Sequence, residues 1–236
     1  MKITLKGDVR EFEAPKTALE IAASLSQALK KEALAVKVDG EVQGLTTVID
    51  RDCALEFLTF ADEEGRRVYR HTASHVMAQA VKALWPEAKL AIGPAIENGF
   101  YYDFDCDTAF STEDFKKIEK EMERIVKANY PIVRSEKPRA EAIAYMQEKG
   151  EPYKVELIED LPEDAVISFY TQGDFTDLCA GPHLPSTGYV KAVKIMSVAG
   201  AYWRGSEKNK MLQRLYATAF PKKADLDAYV QQLEEA

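Results

Sequence analysis

The seven residues from Asp177 to His183 place the tightest constraint on the fold, because Gly181 and Pro182 within them are incompatible with a regular helix. A rigid turn here aims the thiol of Cys179 and the imidazole of His183 at a common point. We therefore expect a loop, and not a helix, to present these two side chains.

The other two histidines of the chain, His71 and His75, have the same four-residue spacing. Their surroundings have a helical pattern, in which positions i and i+4 share a face. Three imidazoles and one thiol fit two chemistries. One is a tetrahedral metal site, and the other is a metal-free hydrolytic pocket in which imidazoles move protons and position water.

The same residues also have an ordinary structural interpretation. His71 and His75 then lie on an amphipathic surface, Cys179 is a small buried hydrophobic residue, and His183 lies in a turn. A pattern as short as HxxxH recurs by chance. The observation that favours a site is that all three histidines fall in the two motifs.

The composition predicts a soluble globular protein with one large or two small domains, since 46% of the 236 residues are hydrophobic and 30% are charged. We expect a cytoplasmic protein without membrane contact, because no apolar run approaches a membrane span and the first residues alternate like a strand. Three cysteines, Cys53, Cys106 and Cys179, argue against a disulfide framework.

The net charge of -8 argues against nucleic-acid binding by the whole surface, and we expect no DNA partner. Residues 186–223 nevertheless contain eight basic residues and one acid, Glu207. This local excess predicts an edge that contacts phosphates, with a solvated strand face as the structural alternative. The candidate RNA-binding residues are Lys191, Lys194, Arg204, Lys208, Lys210 and Arg214.

Residues 1–62 predict a small β-rich domain. Alternating strands come first, a capping box from Thr17 to Glu20 opens a helix, and the pair Asp39-Gly40 is a strong hairpin signal. The predicted order of two strands, one helix and two or three strands resembles a ubiquitin-like β-grasp.

Residues 63–223 predict an α+β domain with helices packed on an antiparallel-rich sheet. A helix is expected from about Arg66 to Trp85 and another after Ser111, and strands are expected at Tyr153–Leu157 and Val166–Tyr170. Residues 224–236 form an amphipathic pattern without a stop signal, so we expect the chain to be part of a longer protein and this helix to be a linker.

Several motifs then carry a family resemblance. Together and in order they resemble the N-terminal half of bacterial threonyl-tRNA synthetases, over essentially the whole chain. Residues 1–62 are similar to the family's TGS domain and residues 63–223 to its editing domain. The motifs lie at His71–His75, Ala91–Asp103, Asp177–His183, Gly200–Gly205 and Asn209–Arg214.

The resemblance implies post-transfer editing, in which the chain hydrolyses the ester between a wrongly attached serine and threonine tRNA, and spares threonyl-tRNA. It implies an aminoacyl-tRNA deacylase, without ligase activity in this part. By this resemblance, His71 and Lys154 match the family's catalytic residues. The substrate-binding residues are His75, Tyr102, Asp177, Cys179 and His183. Ala180 departs from the family, because many relatives have arginine there.

The resemblance also implies that editing requires no metal. The alternative is a zinc-dependent hydrolase related to alanyl-tRNA editing domains, with His71, His75, Cys179 and His183 as ligands. A non-catalytic RNA-binding module is the third interpretation. The full-length synthetase would use ATP, magnesium and zinc in a catalytic domain that this chain lacks. It would form a homodimer through that domain, so we expect the present chain to be monomeric.

Overall fold

The structure is a computed structural model that describes residues 1–236. The chain divides into two compact units, the first formed by residues 1–69 and 181–185, and the second by residues 70–180 and 186–236. None of the helices is long and apolar enough to cross a membrane. The helices are α1 (Ala18–Leu25), α2 (Gln27–Glu32), α3 (Glu63–Leu84), α4 (Thr112–Ala128), α5 (Arg139–Glu148), α6 (Pro152–Glu159) and α7 (Lys223–Glu235).

Fifteen strands accompany these helices, together with two short 3-10 turns at Thr187–Tyr189 and Trp203–Gly205. The strands are β1 (Lys2–Leu5), β2 (Asp8–Glu11), β3 (Lys16–Thr17), β4 (Ala35–Val38), β5 (Glu41–Gln43), β6 (Val48–Ile49), β7 (Cys53–Leu58), β8 (Lys89–Leu90), β9 (Ala95–Ile96), β10 (Gly99–Asp105), β11 (Ile132–Glu136), β12 (Ser168–Gln172), β13 (Phe175–Leu178), β14 (Ala192–Tyr202) and β15 (Met211–Phe220).

The first unit has a five-stranded sheet in the order β2-β1-β7-β4-β5, in which only β1 and β7 run parallel. Thr17 and Glu20 form the predicted capping box at the start of α1. Ile21 of this helix packs with Ile3, Val36 and other sheet residues in one buried core. A helix packed on a mixed sheet confirms the predicted β-grasp.

The predicted hairpin is also present in this unit. Asp39 and Gly40 link β4 to β5, and Val38 pairs directly with Glu41. The φ angles of the two turn residues are 49° and 86°. Positive φ at both positions gives the turn a twist that matches the flanking strands, which explains why Asp-Gly is favoured there.

The second unit has an antiparallel sheet in the order β14-β15-β10-β8, with β9 also paired to β10, and a smaller antiparallel sheet in the order β11-β12-β13. Helix α4 starts at a capping box between Ser111 and Asp114. Its buried residues recur every three or four positions, as the sequence predicts: Phe115, Ile118, Met122 and Ile125. The prediction of helices with an antiparallel-rich sheet is confirmed.

The strand predicted at Tyr153–Leu157 is wrong, because these residues lie in α6. The alternation of apolar and charged residues is typical of a strand, but Pro152 occupies the first helical position, where its missing N–H is no disadvantage. Lys154 and Ile158 are then both buried, four residues apart on one helix face. The strand expected from Val166 begins at Ser168, and Val166 itself is exposed.

Candidate active site

Helix α3 presents the two imidazoles that the sequence predicted to share a face. The ring centroids of His71 and His75 lie 4.9 Å apart with an interplanar angle of 81°. His75 is buried and His71 is partly exposed. The hydroxyl of Ser74 lies 2.7 Å from the carbonyl oxygen of His71 and 2.8 Å from that of Gly93, so it joins the helix to the segment before β9.

Asp177 on β13 is the centre of a buried polar cluster and is only 1% exposed. The Nζ atom of Lys154 lies 2.9 Å from its Oδ1. The hydroxyl of Tyr102 donates to its Oδ2 over 2.6 Å, and Nε2 of His75 lies 3.5 Å from the same oxygen. A buried carboxylate requires such partners. Four of the predicted site residues therefore come together in the second unit.

Cys179 extends the cluster towards its accessible side. Its Sγ lies 3.5 Å from Nε2 of His71, and both residues are partly exposed. The backbone N–H of Cys179 donates to the carbonyl of Ser168 over 3.1 Å, which fixes the chain just beyond β13. The thiol and the imidazole are thus held where a molecule from solvent can reach them.

Burial determines the charge state of the two imidazoles. It lowers the pKa of His71 to about 4; Asp177 opposes this shift and Lys154 adds to it. Burial, with His71 and Lys154, also lowers the pKa of His75 well below its ordinary value. Burial raises the pKa of Tyr102, and Asp177 raises it further. At neutral pH the two imidazoles and the phenol are therefore uncharged.

The ring of Tyr102 forms a wall with little freedom to move. It stacks on Phe104, with ring centroids 5.0 Å apart and an interplanar angle of 26°. A Cβ added at Gly93 would collide with the ring from the other side. Lys154 Nζ lies 5.3 Å from the ring centroid. Close contacts of this kind resist displacement, so the wall has a fixed position.

His183 is buried and lies in the segment 181–185, which belongs to the first unit. Its backbone carbonyl is packed against Gly44, where an added Cβ would come within 3.2 Å of that oxygen. Gly181 has a φ of +73°, a conformation that favours glycine. A non-helical turn therefore precedes His183, and the role of His183 in substrate binding stays a prediction.

The residues of the second unit also fit a metal ion. His71, His75 and Cys179 each offer a ligand atom, and these atoms lie within 4.8 Å of one another. Two imidazole nitrogens and a thiolate sulfur are ligands that zinc binds in proteins, and two ligands of a tetrahedral zinc lie about 3.5 Å apart. The distance of 3.5 Å between Cys179 Sγ and His71 Nε2 matches that separation.

Two of the six candidate RNA-binding residues, Arg214 and Lys210, form ion pairs with acids of β10. Arg214 Nε lies 2.8 Å from Asp103 Oδ1, and a second guanidinium nitrogen lies 3.0 Å from Oδ2. Lys210 Nζ lies 2.7 Å from Asp105 Oδ1. These acids neutralise part of the basic excess that the sequence shows for residues 186–223.

Two of the remaining candidates, Arg204 and Lys208, lie in the segment that links β14 to β15. The other two, Lys191 and Lys194, lie at the start of β14. Arg204 pairs with Asp160, the residue that follows α6. Lys191, Lys194 and Lys208 are exposed. The exposed lysines are thus accessible to phosphates, and RNA binding by all six residues stays a prediction.

Sequence reasoning missed Glu151, which precedes α6 and is 5% exposed. Its carboxylate accepts a hydrogen bond from the backbone of Leu90 over 3.0 Å and lies 3.3 Å from Nζ of Lys82. In the sequence Glu151 is one of eight acidic residues between positions 150 and 185, and nothing in that composition sets it apart. The signal that locates it is the pair Glu-Pro, because proline favours the first position of a helix and so places Glu151 at the cap.

The chain matches known proteins over its whole length. Residues 1–59 match the TGS domain, and residues 167–216 match the family described as threonyl and alanyl tRNA synthetase second additional domain. Threonine-tRNA ligases from Acetivibrio thermocellus and Clostridium acetobutylicum are each 63% identical to it over 237 residues, and that of Syntrophomonas wolfei is 60% identical. Each comparison covers 100% of this chain but 37% of the relative. Over its whole length the chain is therefore similar to the N-terminal region of bacterial threonine-tRNA ligases, and it contains matches to the TGS domain and to the second additional domain.

Proposed function

We propose that this chain is an aminoacyl-tRNA deacylase that hydrolyses the ester of serine wrongly attached to threonine tRNA. The observation that carries this proposal is the arrangement around Asp177, where a buried carboxylate and the ammonium of Lys154 adjoin uncharged imidazoles. The names of the relatives support threonine tRNA as the partner, since all are threonine-tRNA ligases.

The charge balance of the site suits the α-ammonium of an aminoacyl ester. Lys154 neutralises one side of Asp177, whereas Oδ2 contacts only the uncharged Tyr102 and His75. A carboxylate oxygen accepts more than one hydrogen bond, so Oδ2 can also accept one from the substrate ammonium. Protonated imidazoles would repel that ammonium, and the low pKa values of His71 and His75 avoid this.

Ester hydrolysis requires an oriented water, stabilisation of the developing oxyanion, and a proton for the leaving ribose oxygen. We assign the water to the imidazole of His71, which is neutral at pH 7 and partly exposed. The water oxygen bonds to the ester carbonyl carbon and its proton passes to His71. The carbon–oxygen bond to the ribose then breaks, the ribose oxygen takes that proton, and serine and free tRNA leave.

The pKa of His71 also indicates how the rate is divided between two groups. An imidazole with a pKa of about 4 is always available as an acceptor at pH 7, but it is a weak base. We therefore assign the larger share of the rate to Lys154, whose ammonium would stabilise the oxyanion in a buried site where charge interactions are strong.

Discrimination against threonine requires exclusion of one methyl group. Preference for binding alone yields about 1–3 kcal/mol for a methyl group, whereas a site that admits serine and rejects threonine acts as a second sieve. The fixed contact between Gly93 and the ring of Tyr102 supports such a rigid wall. Close-packed walls do not accept an added methyl group without strain.

Single-turnover deacylation of seryl-tRNA and threonyl-tRNA by the purified chain tests the proposal. We expect much faster hydrolysis of the serine ester and a strong reduction of that hydrolysis in His71→Asn and Lys154→Met. Lys127→Gln, on the exposed side of α4 and outside the candidate RNA-binding residues, is a control for a change of charge on the surface. Equal rates for the two esters would contradict proofreading, and full activity of both site variants would contradict the catalytic assignment.

A zinc-dependent hydrolase is the second candidate, favoured by the close ligand atoms of His71, His75 and Cys179. In this alternative zinc would act as a Lewis acid on the ester carbonyl, and His183 is the fourth ligand that the sequence predicts. Metal analysis of the purified protein, followed by the deacylation assay in chelator, distinguishes the two. We expect activity to persist in chelator. Stoichiometric zinc, with loss of activity on its removal, would establish the alternative.

A further inference from the structure

Lys154 occupies the third position of α6, and an ion pair between the buried Glu151 and the partly exposed Lys82 lies at the start of that helix. We propose that Glu151 and Lys82 are positioning residues, which fix the start of α6 against α3 and thereby hold Lys154 against Asp177. The catalytic importance of this placement rests on the proposed function of Lys154, but the placement itself can be measured without the reaction.

Both carboxylate oxygens of Glu151 and the ammonium of Lys82 have polar partners. Oε1 of Glu151 accepts from the backbone of Leu90 over 3.0 Å, and Oε2 lies 3.3 Å from Nζ of Lys82. The same ammonium donates to the carbonyls of Pro86 and Ala88 over 3.0 and 2.8 Å. The three hydrogens of Lys82 thus have three acceptors, and this geometry leaves the pair few alternative positions.

The pair joins the two helices that carry the proposed chemistry. Lys82 lies on α3, two turns beyond His75, and Glu151 is the residue that caps α6. The backbone of Glu151 is also fixed, because its N–H donates to Met146 and its carbonyl accepts from Val155. A displacement of Glu151 would therefore displace the first turn of α6, including Lys154.

Stability alone does not account for this arrangement. Apolar residues often replace a buried ion pair without loss of stability, because burial of two charges is costly. That cost is evident at Glu151, where burial raises the pKa while the Leu90 N–H and Lys82 oppose the shift. An ammonium in the first turn of a helix, such as that of Lys154, is also disfavoured by the helix dipole. The pair is therefore better explained by what it positions.

The first test measures the protection of Lys154 from a small amine-acylating reagent. Lys154 is 3% exposed and paired with Asp177, so it should react slowly. The variant Glu151→Gln with Lys82→Met removes both charges together and leaves neither one buried alone. We expect acylation of Lys154, measured by peptide mass spectrometry relative to exposed Lys208, to rise about tenfold as local opening becomes easier.

A matched control removes the exposed pair between Lys127 and Glu123 on α4. The variant Lys127→Met with Glu123→Gln should leave the protection of Lys154 unchanged. Unchanged protection in the variant of Glu151 and Lys82 as well would overturn the proposal.

The second test uses single-turnover hydrolysis of seryl-tRNA. We expect the variant of Glu151 and Lys82 to lower the maximal rate about tenfold or more, with the enzyme concentration for half-maximal rate unchanged. An equal loss in both parameters, or none, would overturn the proposal. Absence of hydrolysis by the unsubstituted chain would contradict the proposed function, while protection of Lys154 would still decide whether the pair positions it.

Discussion

The low pKa of His71 predicts that this protein loses stability between neutral and mildly acidic pH. The folded state holds the imidazole unprotonated down to about pH 4, whereas the unfolded chain protonates it near pH 6.5. Between these values the unfolded state binds more protons, so the free energy of unfolding falls as the pH falls. Below about pH 4 both states are protonated, and this contribution becomes constant.

The expected magnitude follows from the two pKa values. At pH 5 the unfolded imidazole is almost fully protonated and the folded one almost fully neutral. The free energy of unfolding therefore falls by about 2 kcal/mol, because pH 5 lies 1.5 pH units below the pKa of the unfolded state. The full shift from 6.5 to about 4 corresponds to about 3 kcal/mol. The pKa of His75 is lowered in the same direction, so it contributes to the same fall.

A comparison with His71→Gln isolates the contribution of this one residue, because other groups titrate in both proteins. Urea unfolding at pH 7 and pH 5 gives the free energies. Trp85 and Trp203, the two tryptophans of the chain, both lie in the second unit and report its unfolding by fluorescence. The unsubstituted chain should lose about 2 kcal/mol more than the variant between the two pH values.

The reasoning would be refuted if the free energies of unfolding of the two proteins differed by the same amount at pH 7 and at pH 5. It would mean that His71 titrates near 6.5 in the folded state and is not desolvated. The proposed binding of the substrate ammonium to Asp177, beside imidazoles that do not repel it, would then lose its physical basis near pH 6.

Four further substitutions test the site and the basic surface. Tyr102→Phe removes the hydrogen bond to Asp177 and should lower stability by about 1–3 kcal/mol in thermal or urea unfolding, together with the deacylation rate. Gly93→Ala should displace the Tyr102 ring, cost about 1–3 kcal/mol and weaken the preference for seryl-tRNA, which the ratio of the two rates measures. Neutralising Lys208 should reduce the slope of log affinity for tRNA against log salt concentration by about 0.7–0.9 per lost phosphate contact. Neutralising Lys210, which pairs with Asp105, should change that slope less. Equal effects would show that the ion pair opens when tRNA binds.

Local signals explain which parts of the fold the sequence could predict. The capping box at Thr17 and the turn at Asp39-Gly40 act through neighbouring residues, and both are present. The shared face of His71 and His75 likewise follows from helical spacing. Helix α6 was missed because alternation within five residues outweighed Pro152, which occupies the first position of the helix.

Contacts between distant residues could not be derived in this way. Tyr102 and Asp177 are 75 residues apart, and their pairing was expected only from the family resemblance. The basic strand β15 shows the same limit. Arg214 faces Asp103 across the sheet, and the sequence of one strand does not reveal the charge on its neighbour. Charge counted along the chain therefore overstated the basic character of this surface.

The charge states of the site finally predict an order of importance for its two proposed catalytic groups. Because His71 is a weak base, its loss removes an acceptor that orients water, and another water can partly replace that acceptor. Loss of the Lys154 ammonium removes the cation that neighbours Asp177 and would stabilise the oxyanion, and it leaves Asp177 buried without its ionic partner. Lys154→Met should therefore reduce single-turnover hydrolysis more than His71→Asn, by about tenfold or more. The reverse order would identify proton transfer, and not charge stabilisation, as the larger contribution to the rate.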